Sequence, residues 1–182
     1  MMTNLKEKYY KTVAGAMKEK FGYKSVMATP RMVKVVLSAG TGSFKDEAKK
    51  PIVEKSLAAI TGQKPLVNKA KKSIASFKLR EGMPIGYSVT LRGGRMYDFL
   101  DKLINITMPR VKDFRGINPE AIDDSGNLTI GFKDHVAFPE TAGDDARNAF
   151  GLGITLVTSA KSKEEAVELL KLIGIPFYKN EQ

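Results

Sequence analysis

The sequence predicts an α+β protein with a largely antiparallel sheet, in which helices are packed on one face and the other face is open. Segments with helical and with strand periodicity alternate along the 182 residues, and several strands are separated only by short turns. Two strands also carry polar or cationic residues along one side, which leaves that face to solvent or to a ligand. Because no linker or internal repeat interrupts the chain, residues 1–182 are expected to form a single domain.

The first half of the chain predicts two helices and the first strand of the sheet. Apolar residues recur at helical spacing over residues 4–21 and over residues 44–60, and a glycine follows each segment. Between them, residues 32–39 alternate as a strand, with Val33 on the core side and Lys34 and Ser38 on the other.

The remaining elements follow from the same patterns. In the strand predicted at residues 85–91, Thr90 faces outward, and Arg92 continues that side. The final helix has Ser162 as its N-cap and Gly174 at its C-terminal end. The other predicted elements are strands at 66–71, 76–79, 128–132 and 154–158, helices at 95–104 and 162–173, and loops at 109–116 and 138–151.

The charge of the chain is large and unevenly distributed. The formal net charge is +10. Residues 1–100 hold 20 Lys and Arg against 7 Asp and Glu, whereas residues 101–182 hold 10 against 13. A basic half joined to a mildly acidic half predicts a nucleic acid as one partner and something else as another. The alternative is a basic protein whose charge is merely solvated.

Composition excludes several classes of site. Without cysteine the chain has no disulfide, thiolate zinc site or cysteine nucleophile, and its one histidine, His135, excludes a multi-histidine metal site. No stretch approaches 18 apolar residues, and the N-terminus lacks the apolar region of a signal peptide. We therefore expect a soluble cytoplasmic protein without metal or cofactor, and with no membrane contact.

The most informative segment runs from residue 62 to residue 92. Six of its residues between 64 and 80 are Lys or Arg, and no carboxylate lies among them. A surface helix usually interleaves acids with its cations at a spacing of three or four residues. Unrelieved positive charge of this density repels itself, so the segment predicts an anionic partner, namely a phosphate backbone.

Other candidate sites have simpler explanations. Gly40 and Gly42 match part of a dinucleotide-binding turn, but Lys45 stands where the third glycine belongs. The run from Arg92 to Arg95 lies just before a predicted helix, and it is either a phosphate site or a plain strand-to-helix turn. The paired acids at 123–124 and 144–145 lack calcium-loop spacing. His135 lies beside Asp134 with no nucleophile motif, so it is expected at the surface or in an interface.

Several long motifs, in order, resemble the bacterial form of the large-subunit ribosomal protein five family, which binds 5S ribosomal RNA. The motifs are ITGQKP at 60–65, KSIASFKLREGMPIG at 72–86, VTLRGGRMYDFLDKL at 89–103 and PRVKDFRG at 109–116. The resemblance covers residues 3–178. It implies a structural constituent of the large ribosomal subunit, placed in its central protuberance, and not an enzyme.

The resemblance also implies three sets of contacts. The family's 5S rRNA contacts fall on Lys34, Ser38, Gln63, Thr90 and Arg92 of this sequence. Its P-site tRNA contacts fall on Lys71, Lys72, Lys78 and Arg80. Its bridge to ribosomal protein thirteen of the small subunit falls on Arg110, Lys112, Arg115, His135, Glu140 and Asp144. Further implied partners are 23S rRNA and the neighbouring 5S-associated proteins of the large subunit.

This sequence departs from the family pattern at two places. The family usually has Asn where this chain has Ser38, whose hydroxyl has a shorter reach. It usually reads Glu-Gln where this chain has Asp134 and His135. Two other classes stay open at this point: an enzyme acting on a phosphorylated or nucleic-acid substrate, and a free-standing RNA chaperone. Co-sedimentation with 50S particles separates the ribosomal protein from the enzyme.

Overall fold

In the part of the chain that the structure describes, the strands form one five-stranded antiparallel sheet. The structure, a computed structural model, describes residues 5–42, 44, 49–112, 114–143 and 149–178. The strands are Met32–Gly40 (β1), Leu66–Lys69 (β2), Pro84–Leu91 (β3), Leu128–Phe132 (β4) and Leu152–Thr158 (β5). Their order in the sheet is β2-β3-β1-β5-β4. The predicted α+β class with an antiparallel sheet and helices is therefore confirmed.

Four helices accompany the sheet in the described part of the chain, and two of them contain a π-helical turn. Helix α1 covers residues 5–21 and consists of Leu5–Lys8, the π turn Tyr9–Val13 and Ala14–Phe21. Helix α2 is Lys49–Thr61, and α4 is Lys163–Ile173. Helix α3 covers residues 93–110 and consists of Gly93–Lys102, the π turn Leu103–Thr107 and Met108–Arg110.

Helix α3 runs further than the predicted 95–104. Pro109 would ordinarily end it, since proline has no amide hydrogen and its ring crowds the carbonyl one turn earlier. The π turn ends at Thr107, two residues before this proline, where the hydrogen-bond pattern must change. As a result, the first residues of the predicted basic loop belong to the helix.

The predicted signals at both ends of α4 are confirmed. The hydroxyl of Ser162 accepts a hydrogen bond from the amide of Glu165 at 3.3 Å. At the other end Gly174 has a φ of +120°, and the amide of Ile175 donates to the carbonyl of Leu170 at 3.0 Å.

The chain divides into two compact units. The first comprises Met1–Val35, Leu91–Ile130 and Thr155–Gln182. The second comprises Val36–Thr90 and Gly131–Ile154.

In the first unit α1 packs against α3 and α4. The ammonium group of Lys8 donates to the carbonyl of Ile173 at 3.0 Å, and the hydroxyl of Tyr9 donates to the carbonyl of Pro30 at 3.0 Å. Tyr97 of α3 is buried in the same unit. Burial, followed by the neighbouring Tyr10 and Tyr9, raises the pKa of Tyr97 to about 12. The phenol is therefore harder to ionise than that of an exposed tyrosine.

In the second unit α2 packs its buried side against the turn at residues 139–141. Val53, Leu57 and Ile60 are the buried apolar residues of the helix, and Phe138 is fully buried beside the turn. The rings of Phe138 and Phe132 lie 5.8 Å apart, centroid to centroid. This cluster forms the core of the unit.

The predicted alternation of β1 is confirmed over most of its length. Val35, Leu37 and Ala39 are buried, while Ser38 between them is exposed. The prediction is wrong for Val33, which is 37% exposed although it was expected in the core.

Two further boundaries differ from the sequence prediction. Residues 76–79 are not a strand, because Ala75–Phe77 form a 3-10 turn inside the loop that joins β2 to β3. Phe44 precedes α2 instead of beginning it, and its amide donates to the carbonyl of Thr41 at 3.2 Å. Residues 4 and 45–48, which the predictions placed in helices, lie outside the described residues.

Among the residues that are described, no helix is both long and apolar enough to cross a membrane.

Candidate nucleic-acid interface

The cationic segment forms a hairpin that extends beyond the paired part of β2 and β3. The two strands pair antiparallel, with Leu66 opposite Ser88 and Asn68 opposite Gly86. Backbone hydrogen bonds continue past the sheet, since the amide of Ala70 donates to Met83 at 2.8 Å and that of Gly82 donates to Ala70 at 3.0 Å. We call residues 70–83 the basic hairpin.

The tip of the basic hairpin is closed by its own hydrogen bonds. Ile74 and Leu79 exchange amide-to-carbonyl bonds of 3.0 and 3.1 Å. Between them the amide of Lys78 donates to Ala75 at 3.0 Å, and Lys78 adopts a left-handed conformation with φ of 53°. The hydroxyl of Ser73 accepts from the amide of Glu81 at 2.9 Å. These hydrogen bonds therefore fix the backbone positions from which the cationic side chains extend.

All four cations that the sequence analysis singled out on this hairpin are exposed: Lys71, Lys72, Lys78 and Arg80. Among the described residues none of them makes an ion pair with a carboxylate. Exposed, unpaired cations at this density are the arrangement that a phosphate backbone neutralises.

The candidate 5S rRNA residues occupy β1, β3 and two turns. In the second unit, Ser38 on β1 and Thr90 on the neighbouring strand β3 are exposed, and Gln63 is half-buried in the turn after α2. The Ser38 hydroxyl donates a long hydrogen bond of 3.5 Å to the carbonyl of Gly153. The remaining hydrogen-bonding capacity of this hydroxyl faces solvent.

The other two candidates belong to the first unit. Lys34 is half-buried on β1, four residues before Ser38, so strand alternation puts the two on the same side of that strand. Arg92 is exposed at the N-cap position of α3, and its side chain makes no capping hydrogen bond there. The guanidinium is therefore presented outward.

The backbone at Gln63 is held by Thr61. The amide of Gln63 donates to the Thr61 hydroxyl at 3.3 Å, and the single hydrogen of that hydroxyl is shared between the carbonyls of Leu57 at 2.7 Å and Gln63 at 3.1 Å. This turn leaves the Gln63 amide side chain available to a ligand.

The predicted bridge residues of the first unit lie at the end of α3 and after it. Arg110, Lys112 and Arg115 are all exposed. The loop that follows is anchored at Ile117. The amide of Ile117 donates to the carbonyl of Pro176 at 2.9 Å, and its carbonyl accepts from the amide of Tyr178 at 3.0 Å. A fixed loop end of this kind limits where the three cations can reach.

Gly116 allows that attachment, and replacing it with alanine is expected to destabilise the protein. A Cβ there would lie 2.8 Å from both the Phe177 carbonyl carbon and the Tyr178 amide nitrogen, and φ is +110°. We expect a loss of about 1–3 kcal/mol in the free energy of unfolding, measured by urea denaturation. Gly131→Ala is the control, because that site has open space. An unchanged midpoint in Gly116→Ala contradicts the prediction.

The prediction that His135 lies at the surface or in an interface is wrong. The side chain is 0% exposed, and its ring stacks on Phe150 with centroids 4.0 Å apart. The amide of Phe150 donates to Nδ1 of His135 at 3.4 Å, which satisfies a polar atom that burial would otherwise penalise. His135 therefore supports the second unit from inside, and its side chain is not available to a partner.

Of the last two bridge candidates, only one lies in the part of the chain that the structure describes. Glu140 is exposed in the turn Pro139–Thr141. Asp144 lies outside the described residues.

As far as the structure describes them, the remaining motifs carry no catalytic arrangement. The amide of Thr41, between the two glycines of the nucleotide-like turn, donates to Ile85 at 2.9 Å within the second unit. The carboxylate of Asp123 accepts from the amide and side chain of Asn127 at 2.7 and 3.0 Å, which lowers its pKa. Asp123 therefore organises a turn. In the described part of the chain, no cluster of acids, His or Cys is arranged to hold a metal.

Comparison with known proteins identifies the family. Residues 25–80 match the family described as Ribosomal protein L5, and residues 84–177 match the ribosomal L5P family C-terminus. The chain belongs to the ribosomal protein L5 family. Members are structural proteins, so the chain is a structural constituent of the large ribosomal subunit and not an enzyme.

Curated relatives cover the chain almost completely. The large ribosomal subunit protein uL5 of Alkaliphilus oremlandii is 54% identical over 179 residues, which is 98% of this chain and 100% of the relative. The proteins of the same name from Halothermothrix orenii and Lacticaseibacillus casei are each 50% identical, over 97% and 98% of this chain and 99% and 100% of their own. The L5 family member described here thus sits with rRNA in the ribosome, in the cytoplasm.

Proposed function

We propose that the chain binds 5S rRNA, contacts the P-site tRNA and bridges to the small subunit, acting as a single ribosomal RNA-binding domain over residues 1–182. The observation that carries the proposal is the basic hairpin, whose exposed cations have no carboxylate partner among the described residues. The uneven charge of the chain and its membership of the ribosomal protein L5 family support the same proposal. Further partners in the proposal are 23S rRNA and the neighbouring 5S-associated proteins.

The proposed 5S rRNA contacts are polar side chains on or beside the sheet. Exposed hydroxyl and amide groups are suited to base edges and 2′-hydroxyls, and cations to phosphates. The proposed residues are Lys34, Ser38, Gln63, Thr90 and Arg92.

Thr90→Ala and Gln63→Ala are each expected to weaken 5S rRNA binding by about 1–3 kcal/mol, because an RNA polar group is left unpaired in the complex. Filter binding at fixed salt measures the affinity. Thr12→Ala is the matched control, since Thr12 is an exposed threonine on helix α1 and not on the sheet. Wild-type affinity in both test variants rules this face out.

Ser38→Asn is expected to bind 5S rRNA at least as well as the wild type. Asparagine donates and accepts with a longer reach, and it restores the residue usual in the family. Ser38 is exposed, so the longer side chain can extend toward solvent and away from Gly153, which the serine hydroxyl approaches closely. Titration against 5S rRNA measures the change, and a steep loss of affinity shows that the RNA surface has adapted to serine.

The basic hairpin is assigned to the elbow of P-site tRNA through Lys71, Lys72, Lys78 and Arg80. It reaches past the paired strands, and its cations lie on a closed backbone turn. Phosphate recognition by such a group does not depend on base sequence, as a site that accepts every tRNA requires.

The bridge to small-subunit ribosomal protein thirteen is assigned to the exposed residues Arg110, Lys112, Arg115 and Glu140, with Asp144 as a candidate beyond the described residues. His135 is left out because its side chain is buried. Reversal of the charges at Arg110 and Lys112 tests the assignment. Weaker subunit association with normal 5S rRNA binding supports it, and unchanged association contradicts it.

A further inference from the structure

The tip of the basic hairpin presents two large apolar side chains to solvent. Phe77 is 69% exposed and Ile74 is 44% exposed. The cations of this hairpin have a proposed role, but Phe77 has none so far. An exposed phenyl ring contributes little to the stability of the free protein, and together with Ile74 it offers a ligand an apolar surface at the tip.

The ring of Phe77 is carried by a closed turn. Phe77 is the last residue of the 3-10 turn Ala75–Phe77, which is bracketed by the reciprocal bonds between Ile74 and Leu79. Much of the backbone ordering needed for binding is therefore already present in the free protein, which favours a ring that acts as a binding surface.

The charge around the ring identifies the kind of partner. Lys78 follows Phe77 directly, and Lys72 and Arg80 lie close by along the hairpin, all exposed. A basic protein surface is repelled by this field, whereas a polyanion is attracted to it. The ligand must therefore combine negative charge with a flat apolar face, and nucleic acid does so through its phosphates and its bases.

We infer that Phe77 is a base-stacking residue, which packs its ring on an open nucleobase face of the tRNA elbow while the neighbouring cations hold the adjacent phosphates. Every base has a π face, so the contact tolerates different tRNA sequences. This inference rests on the proposed assignment of the basic hairpin to tRNA.

The test compares Phe77→Leu with Phe77→Tyr in assembled ribosomes. Leucine keeps an apolar side chain without a flat ring, whereas tyrosine keeps the ring. We expect Phe77→Leu to speed dissociation of P-site tRNA on the order of tenfold and Phe77→Tyr to leave it near the wild-type rate. Because no cation is lost, the dependence of the rate on salt stays unchanged in both.

The control is Tyr10→Leu, which removes another exposed ring, since Tyr10 is 62% exposed on α1 of the first unit. It is expected to leave tRNA dissociation unchanged. Chemical probing of the bases of bound tRNA gives a direct readout. In Phe77→Leu ribosomes one elbow base becomes more reactive, whereas in Phe77→Tyr ribosomes it stays protected.

The outcomes separate this inference from the proposed function. Wild-type dissociation and probing in Phe77→Leu overturn the stacking role, while the tRNA assignment stands if neutralising the hairpin lysines still releases tRNA. Equal losses in Phe77→Leu and Phe77→Tyr also overturn it, because an aromatic ring at this position is then not sufficient to hold the tRNA. If neither the ring nor the lysines affect tRNA, the assignment of the hairpin itself fails.

Discussion

Replacing Lys71, Lys72 and Lys78 together with glutamine is expected to weaken the retention of P-site tRNA on assembled ribosomes, for every tRNA alike. The three ammonium groups are exposed, and phosphate contacts of this kind do not read base sequence. Each lost contact lowers the log–log salt slope by about 0.7–0.9. Dissociation rates of several tRNAs, measured across a series of salt concentrations, give both the loss and the slope.

The matched control carries the same change in charge elsewhere. Lys24, Lys161 and Lys171 are exposed lysines of the first unit, and their joint replacement with glutamine is expected to leave tRNA retention unchanged. Binding of 5S rRNA is expected to stay nearly intact in the hairpin variant. If that variant instead fails to bind 5S rRNA while surviving ribosomes hold tRNA normally, the lysines serve ribosomal RNA during assembly and the tRNA assignment is wrong.

Truncating Phe138 to alanine is expected to lower the free energy of unfolding by about 3–5 kcal/mol. The ring is fully buried, it packs 5.8 Å from the ring of Phe132, and its backbone joins the two turns that follow β4. Removing it therefore loses apolar burial and leaves a cavity. Urea denaturation measures the change as a lower midpoint.

Phe77→Ala is the matched control for this substitution. It removes the same ring from a mostly exposed position, so its effect on unfolding is expected within about 0.5 kcal/mol. Similar midpoints for Phe138→Ala and the wild type contradict the assignment of Phe138 to the core of the second unit.

Local patterns predicted most of the elements because burial on one side imposes a period on the sequence. The alternation of β1 from Val35 onward is an example. The same reasoning failed at residues 76–79, where the decisive feature is the pairing of Ile74 with Leu79. That pairing folds the intervening residues into a turn, and a short run of apolar and polar residues is compatible with either outcome.

The candidate interface was predictable where charge density carries the signal. No acidic residue lies between Lys71, Lys72 and Lys78 in the sequence, so the exposure of these lysines was expected. His135 was not predictable in this way. Its burial depends on Phe150, fifteen residues away, which stacks on the ring and donates its amide to Nδ1. A polar residue beside Asp134 in a short loop gives no local sign of such a contact.

The left-handed backbone of Lys78 reveals a compromise between folding and recognition. It is the one non-glycine residue with positive φ in the described part of the chain, and a side chain in that region costs roughly 1–2 kcal/mol. Glycine or asparagine would occupy the position with less strain but without an ammonium group. A selection for thermal stability alone would therefore favour replacing Lys78, and the variants it enriched would be poorer at holding RNA.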